Sequence, residues 1–299
     1  MTKNVAVFGL GSMGMGIAQS CLAAGLRVTG FDPNKHRTRA FAAIGGERGT
    51  PQASAPDIDA AVLVVLNAKQ VEDVLFGAEG IVTHLRPGTL VMVCATVAPE
   101  FAAQTAARCI QDGLLYLDAP ISGGAVKAGQ GALSVMAAGS EAAFAAAGPI
   151  LDATAEAVFH LGDTAGQGSA MKAANQLLAG VHIAAMAEAL TFAMTQNITP
   201  ETFLKVISQS AGASWMLENR APHVVAGDYS PKSQVAIWPK DLGIVLGAAQ
   251  AAGLETPLTR AALGQFDAAV AQDLSAQDDA AVAKVYARQA GLTLPGDGL

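Results

Sequence analysis

The chain has few of the residues on which disulfide scaffolds and metal sites depend. Three cysteines occur in 299 residues, and Cys21, Cys94 and Cys109 are too far apart to form a metal-binding motif. The five histidines add no metal-ligand spacing, so we expect no metal site. Each cysteine lies in an apolar stretch, which predicts buried, reduced thiols and a cytoplasmic protein.

Basic residues are also in the minority. Lys and Arg number 18 against 25 Asp and Glu, for a net charge of −7, which argues against a nucleic-acid partner. Aromatic residues make up 5% of the chain and apolar residues 52%, so the core must be packed largely with small aliphatic side chains. The first apolar strand follows no basic flank or cleavage site, which predicts no signal peptide.

One long apolar stretch, residues 168–196, raises the question of a membrane span. It contains Lys172, Asn175, His182 and Glu188, which would be costly in lipid. We therefore predict a long helix buried in protein and no membrane partner.

A glycine-rich turn between a strand and a helix lies near the N-terminus, in "NVAVFGLGSMGMGIA". Gly9, Gly11 and Gly14 have the spacing G-x-G-x-x-G, which in a dinucleotide site permits a tight turn, close approach of the pyrophosphate and close helix packing. Ser12 begins the helix whose amides would face the phosphates, and Met13 packs against the cofactor or the core. A structural turn in an unrelated α/β protein is the alternative.

A second strand, "LRVTGFD", ends in Asp32, where an acidic residue usually meets the adenosine ribose. A carboxylate there accepts hydrogen bonds from the ribose hydroxyls and repels a 2′-phosphate, so NAD is predicted over NADP. Basic residues follow closely, among them Lys35 and Arg37, and could tolerate a phosphate. Asp32 could also cap the helix that begins near Lys35.

Strand-like and helix-like segments alternate up to about residue 162, which predicts a largely parallel sheet wrapped by helices. The later sequence is helical, beginning with one helix from about residue 165 to 196. The expected fold is α/β, with a Rossmann-type NAD-binding domain at 1–162 and an all-helical substrate and oligomerisation domain at 163–299, joined by the long helix. Five prolines are expected to mark the ends of the later helices: Pro200, Pro222, Pro239, Pro257 and Pro295.

Three polar clusters follow the glycine turn: "DAPISGGAVKAGQGAL" at 118–133, "GQGSAMKAANQ" at 166–176 and "WPKDLG" at 238–243. Their order and spacing resemble the β-hydroxyacid dehydrogenase family, which includes 3-hydroxyisobutyrate dehydrogenase and tartronate semialdehyde reductase. The resemblance covers nearly the whole chain. Within the family, "SGGAVKAGQGAL" and "NQLLAGVHIAAMAEAL" are most similar to the L-threonate dehydrogenase branch.

The resemblance implies that Lys172 is the general acid/base, which takes the proton of the substrate hydroxyl as hydride leaves the carbon. A lysine at its free pKa of about 10.4 is a poor base, so desolvation or a nearby cation would have to lower its pKa. Asn175, three positions along the same helix face, would hold the substrate hydroxyl or carboxylate. Gln176 stands where the family often has a second Asn, and its role is open.

The remaining site residues come from the other two clusters and one further strand end. Ser122, Gly123 and Gly124 would receive the substrate carboxylate in a glycine loop, with an ordinary turn as the alternative. Lys240 would approach the substrate and cofactor, with Asp241 orienting nearby groups. Thr96 matches the position at which the family has a hydroxyl-bearing residue near the nicotinamide. The role of Lys127, a pocket cation or a solvated lysine, also stays open.

The expected function is NAD-dependent oxidation of a small hydroxy acid, with L-threonate oxidised to 2-dehydro-L-erythronate as the branch implies. A 3-hydroxyisobutyrate or tartronate semialdehyde type of dehydrogenase is the alternative within the family, and a non-catalytic dinucleotide sensor the alternative outside it. Oxidative decarboxylation, as in 6-phosphogluconate dehydrogenase, is disfavoured because Ala179 stands where that chemistry uses an acid. The long apolar helix suggests a homodimer or homotetramer.

Overall fold

The structure is a computed structural model that describes residues 3–297. The chain divides into two compact units, Met1–Lys172 and Ala173–Leu299. The division falls inside a long helix, ten residues beyond the domain limit expected from the sequence. We retain 1–162 and 163–299 as the proposed domains, because the last strand ends at His160 and the long helix begins at Gln167.

A sheet of eight strands forms the middle of the first unit. The strands are β1 (Asn4–Phe8), β2 (Arg27–Phe31), β3 (Ala60–Leu63), β4 (Leu90–Val93), β5 (Leu115–Asp118), β6 (Ile121–Ser122), β7 (Leu133–Gly139) and β8 (Ala155–His160). Their order is β2-β1-β3-β4-β5-β7-β6, with β8 paired to β7. The first five strands are parallel, whereas β7 runs antiparallel to β5 and β6. Along the chain, β1 is followed by β2, its neighbour on one side, and the chain then crosses to β3 on the other side of β1. The carboxyl ends of β1 and β3 at this switch point therefore mark the expected ligand crevice.

Helices cover both faces of this sheet: α1 (Ser12–Ala23), α2 (Lys35–Ala43), α3 (Pro51–Ser54), α4 (Ala68–Phe76), α5 (Pro99–Gln111), α6 (Gly124–Gly129) and α7 (Glu141–Thr154). Two 3₁₀ turns lie at Ala55–Asp57 and Val82–His84. Successive residues of a strand point to opposite faces, and accordingly Val5 and Val7 belong to one apolar cluster while Ala6 and Phe8 belong to another. Burial on both faces is the arrangement expected of a doubly wound parallel sheet.

The elements described in the second unit are helices. They are the greater part of α8 (Gln167–Thr195), then α9 (Pro200–Ile207), α10 (Trp215–Ala226), α11 (Ile237–Ala251), α12 (Pro257–Ala271), a 3₁₀ turn at Asp279–Val282 and α13 (Ala283–Gln289). Their core is a single apolar cluster in which the rings of Trp238 and Phe266 stack with centroids 5.3 Å apart. The fold class expected from the sequence is confirmed.

Helix α8 is long and apolar enough, by length and composition, to cross a membrane. In its most apolar 18-residue window, 44% of the helix is buried inside the protein.

The prolines mark helix boundaries at only some of the predicted positions. Pro200 and Pro257 are the first residues of α9 and α12, where the missing N–H has no partner to lose. The predictions for Pro222 and Pro239 are wrong. Pro222 lies inside α10, and Pro239 is the third residue of α11, where a proline is tolerated because first-turn amides have no helical acceptor.

Candidate active site

Two of the three motif glycines are required by the protein itself. Gly9 has a φ of +93°, and a Cβ there would lie 2.4 Å from the carbonyl oxygen of Val64. A Cβ on Gly14 would lie 1.8 Å from the carbonyl oxygen of Gly9, so only glycine lets α1 approach the turn this closely. Gly9 thus permits the tight turn, and Gly14 the close packing, that the sequence predicts.

Gly11 differs, because a Cβ there would meet no protein atom within 4 Å. Its φ of −63° is open to any residue, and it caps α1 without a side-chain hydrogen bond. Gly11 therefore leaves open a space at the protein surface, at the N-terminus of α1. The first amides of this helix, at Ser12 and Met13, have no capping side chain. This geometry fits the pyrophosphate of a dinucleotide, which needs both the space and the amide donors.

The Asp32 side chain is 5% exposed and is held by the backbone at the end of β2. Its oxygens accept hydrogen bonds from the N–H groups of Leu10, at 2.9 Å, and Asn34, at 2.8 Å. Arg37 Nη1 lies 3.3 Å from Asp32 Oδ2. Asn34, and not Asp32, caps α2, since its side chain accepts from the N–H of His36 at 2.9 Å. Asp32 is thus positioned for a different purpose from helix capping.

Ser122, Gly123 and Gly124, which are predicted to receive the substrate carboxylate, lie at a junction between a strand and a helix. Ser122 ends β6, Gly123 precedes α6 with a φ of 135°, and Gly124 begins α6 with a φ of 78°. Both glycines have a left-handed backbone, which turns the chain sharply between β6 and α6. The Pro and Gly composition alone could not distinguish this turn from a loop. Lys127, on α6, pairs with Glu156 on β8 at 3.3 Å, and both side chains are exposed.

Helix α6 packs directly on the cofactor-motif helix. A Cβ on Gly16 would lie 2.7 Å from the Cβ of Ala128, and the Ser20 hydroxyl donates to the carbonyl oxygen of Ala128 at 2.9 Å. The contact is fully buried, so α1 and α6 form one packed layer in the first unit.

Asp118, at the end of β5, anchors the start of α8 and was not singled out as a site residue. Its Oδ2 accepts from the N–H groups of Gly166 and Ser169, both at 2.8 Å, and its Oδ1 accepts from the Ser169 hydroxyl at 2.7 Å. Complete burial of the carboxyl raises its pKa despite these hydrogen bonds. In the sequence, the feature that could have indicated this role was an acidic residue at the end of a predicted strand, in "LLYLDA".

Lys172 lies one turn beyond this anchor and is only 8% exposed. Lysine is rarely buried unless its ammonium has a task or a partner, so its position agrees with the role implied by the resemblance. Thr96 is half-buried and follows β4 at the carboxyl edge of the sheet. The structure shows Lys172 on α8 and Thr96 just after β4, and the roles of both residues stay predictions.

In the second unit, four polar side chains form a continuous chain of hydrogen bonds. Asn175 Nδ2 donates to Gln176 Oε1 at 3.0 Å, and Gln176 Nε2 donates to Asp241 Oδ2 at 2.5 Å. Lys240 Nζ donates to the other oxygen of Asp241. Asp241 is 2% exposed and Gln176 8%. Among residues 3–297, no group of three or more His, Cys, Asp or Glu side chains is arranged to hold a metal ion.

Comparison with known proteins matches both parts of the chain to dehydrogenase domains. Residues 4–162 match the family described as the NAD binding domain of 6-phosphogluconate dehydrogenase, and residues 166–286 match the family described as the NAD-binding domain of NADP-dependent 3-hydroxyisobutyrate dehydrogenase.

Full-length relatives agree with these matches. An L-threonate dehydrogenase from Escherichia coli O6:H1 is 45% identical over 98% of this chain and 97% of its own length. One from Cupriavidus necator is 44% identical over 99% of each chain. The crystal structure of a 3-hydroxyisobutyrate dehydrogenase from Salmonella typhimurium is 46% identical, has a TM-score of 0.90, and covers 95% of this chain and 99% of that one.

This chain belongs to the β-hydroxyacid dehydrogenase family. Its first domain is an NAD-binding domain, and the protein is a dehydrogenase that acts on the CH–OH group of a small hydroxy acid.

Proposed function

We propose that this protein oxidises L-threonate at C2 with NAD, forming 2-dehydro-L-erythronate. The observation that carries the proposal is the similarity to five L-threonate dehydrogenases, which are 43–45% identical to this chain over nearly its whole length. At the level of residues it is supported by the buried Lys172, the polar chain at Asn175 and the open space at Gly11.

Lys172 is proposed as the catalytic residue. Oxidation of an alcohol needs a base within about 3 Å of the hydroxyl oxygen, so that the O–H proton leaves as the carbon loses hydride. When bound, the nicotinamide supplies the hydride acceptor. Lys172 takes the hydroxyl proton during oxidation and returns it during reduction, and the Asp118 anchor fixes the backbone one turn before it.

The substrate is proposed to bind through groups of complementary charge and hydrogen bonding. The amides at Gly123 and Gly124, with the Ser122 hydroxyl, receive the carboxylate. Asn175 binds a substrate hydroxyl, and Lys240 supplies a positive charge to the substrate and cofactor.

The cofactor is proposed to be NAD rather than NADP. Gly9, Gly11 and Gly14, with the amides at Ser12 and Met13, would hold the pyrophosphate, while Thr96 would lie near the nicotinamide. Asp32 supports NAD because its buried carboxylate would accept from the ribose hydroxyls and repel a 2′-phosphate.

A 3-hydroxyisobutyrate type of activity is the second candidate. It is favoured by one specific observation, the solved structure of that name with 46% identity to this chain. The two candidates differ in the carbon that is oxidised, so turnover of defined substrates distinguishes them.

The test is NADH formation by purified protein with L-threonate, D-threonate, the erythronates, glycerate and 3-hydroxyisobutyrate, with NAD and NADP in parallel. We expect L-threonate with NAD to give the highest kcat/KM. Lys172→Ala should lower kcat by about 10²- to 10⁴-fold, the usual contribution of a general base. Lys205→Ala, which removes an exposed lysine of α9, is the matched control and should keep full activity.

Preference for 3-hydroxyisobutyrate would move the assignment to the second candidate. A protein that binds NAD but turns over none of these acids would contradict both candidates and would point to a hydroxy acid outside this panel or to a dinucleotide sensor.

We further propose that the protein is a cytoplasmic homodimer or homotetramer. On α8 the side chains of Leu178 and Phe192 are 54% and 66% exposed, which supports a subunit interface along this helix. The three free cysteines support a reducing compartment. Light scattering coupled to size-exclusion chromatography measures the subunit number.

A further inference from the structure

We propose that Gln176 is a positioning residue for substrate recognition, which transmits the charge of Asp241 to the amide of Asn175 and so fixes which end of that amide meets the substrate. This inference rests on the proposed function, since it assigns a role within the same site.

The argument begins at Asp241, whose ionised carboxylate can only accept hydrogen bonds. One oxygen accepts from Lys240 Nζ, and the other lies 2.5 Å from the Gln176 side chain. Facing a carboxylate, Gln176 must present its NH₂ group, because its carbonyl oxygen would be repelled. Burial of Asp241 and Gln176, at 2% and 8% exposure, strengthens this preference by excluding water.

With its NH₂ group turned toward Asp241, Gln176 presents its carbonyl oxygen to Asn175. That oxygen can only accept, so Asn175 must present its NH₂ group, at 3.0 Å. The acceptor of Asn175, Oδ1, is then the atom available to a substrate hydroxyl. Asp241 thereby orients two groups at once, Lys240 directly and Asn175 through Gln176.

The chemistry predicts a substrate that donates to Asn175, which an alcohol does through its O–H. An apolar residue at position 176 would remove the acceptor of the Asn175 NH₂ group, so that this amide could present either end to the substrate. Gln176 thus acts through Asn175 on the affinity for a hydroxyl-bearing substrate.

The first test is kinetic and uses Gln176→Met, which has a similar volume and neither donor nor acceptor. We expect kcat/KM for L-threonate to fall by about tenfold or more, the usual effect of losing a hydrogen bond in a charged network. The loss should appear mainly as a higher KM, because Asn175 binds the substrate before and during the reaction. Partial misfolding would instead lower kcat with KM unchanged. Gln196→Met, at an exposed position just beyond α8, is the matched control.

The second variant, Gln176→Glu, gives a pH signature that a purely structural role would not produce. When protonated, the new carboxyl can donate to Asp241 and accept from Asn175, as glutamine does. When ionised, it places a second negative charge against Asp241. We therefore expect its kcat/KM, divided by that of the wild type at each pH, to fall as pH rises. A flat ratio would overturn the inference.

The third measurement does not depend on turnover. The chain has six asparagines, so ¹⁵N-asparagine labelling gives six side-chain NH₂ pairs, and Asn175→Asp identifies the pair of interest. We expect Gln176→Met to shift that pair upfield as its acceptor is lost, and an unchanged signal would overturn the inference. If no hydroxy acid is turned over, the proposed function fails, while this signal still decides whether Gln176 orients Asn175.

Discussion

The carboxylate of Asp118 accepts two hydrogen bonds from Ser169, one from its backbone N–H at 2.8 Å and one from its hydroxyl at 2.7 Å. This contact fixes the first turn of α8, just before Lys172. Asp118→Asn replaces one oxygen with an NH₂ group that faces donors. We expect it to lower the free energy of unfolding by about 1–3 kcal/mol at neutral pH, measured by urea denaturation.

The pH dependence of this effect has a defined sign. Burial raises the pKa of Asp118, so the folded state binds this proton more tightly than the unfolded chain. Its stabilising contribution is therefore present at low pH and is lost as pH rises from the ordinary value of about 3.9 through the raised pKa. The stability difference between wild type and Asp118→Asn should shrink across that window. A difference that widens with pH would contradict the raised pKa.

Gly11 and Gly14 provide a matched pair of alanine substitutions. Gly14→Ala should destabilise the protein by about 1–3 kcal/mol or more, because its Cβ would lie 1.8 Å from a backbone oxygen. Gly11→Ala should leave the melting temperature nearly unchanged, since its Cβ meets nothing within 4 Å. It should still raise the Kd for NAD by about tenfold or more, if the pyrophosphate occupies that space. Calorimetry of unfolding and of NAD binding measures both effects. Unaltered NAD affinity in Gly11→Ala would remove the phosphate site from this turn.

Asp32 should determine the choice between the two dinucleotides. Asp32→Asn removes the charge that repels a 2′-phosphate and releases Arg37 from its ion pair. We expect the ratio of kcat/KM for NADP to that for NAD to rise by about tenfold or more, because like charges near a surface cost about 1–4 kcal/mol. Asp152→Asn, at an exposed site on α7, changes the net charge equally and should leave the ratio as it is.

The three cysteines should be inert in the folded protein. Burial raises the pKa of each thiol, of Cys21, Cys94 and Cys109, to about 12, so almost no thiolate exists at neutral pH. Ellman's reagent should detect almost no thiol in native protein and three per chain in denaturant. A rapid reaction of one thiol in the native state would contradict this burial.

Elements with strong local patterns were predictable from the sequence. The alternation of strand-like and helix-like segments up to about residue 162 is confirmed in the first unit, and the helix expected from about residue 165 to 196 is α8, Gln167–Thr195. Strand β6 was missed because two residues cannot show an alternating pattern. Helix α6 was missed because its terminal glycines indicate a turn, whereas its packing on Gly16 of α1 stabilises a helix.

Contacts between residues far apart in the sequence could not be predicted from local sequence patterns. The resemblance indicated that Lys172 and Asn175 matter, but their supports are remote in sequence. Asp118 and Ser169 are 51 residues apart, and Gln176 and Asp241 are 65. The direction of β7 likewise depends on the neighbours it meets in the folded sheet. Such partners become visible only when the chain is folded.

The close packing of α1 on α6 has a mechanical consequence. Gly16 and Ser20 hold Ala128 at a fixed separation in a buried contact. A displacement of the helix that follows the phosphate turn must therefore carry with it the segment that follows Ser122. If both segments hold ligands as proposed, the spacing between cofactor phosphates and substrate carboxylate is set by two small residues and one hydroxyl. This spacing is therefore fixed and does not adjust.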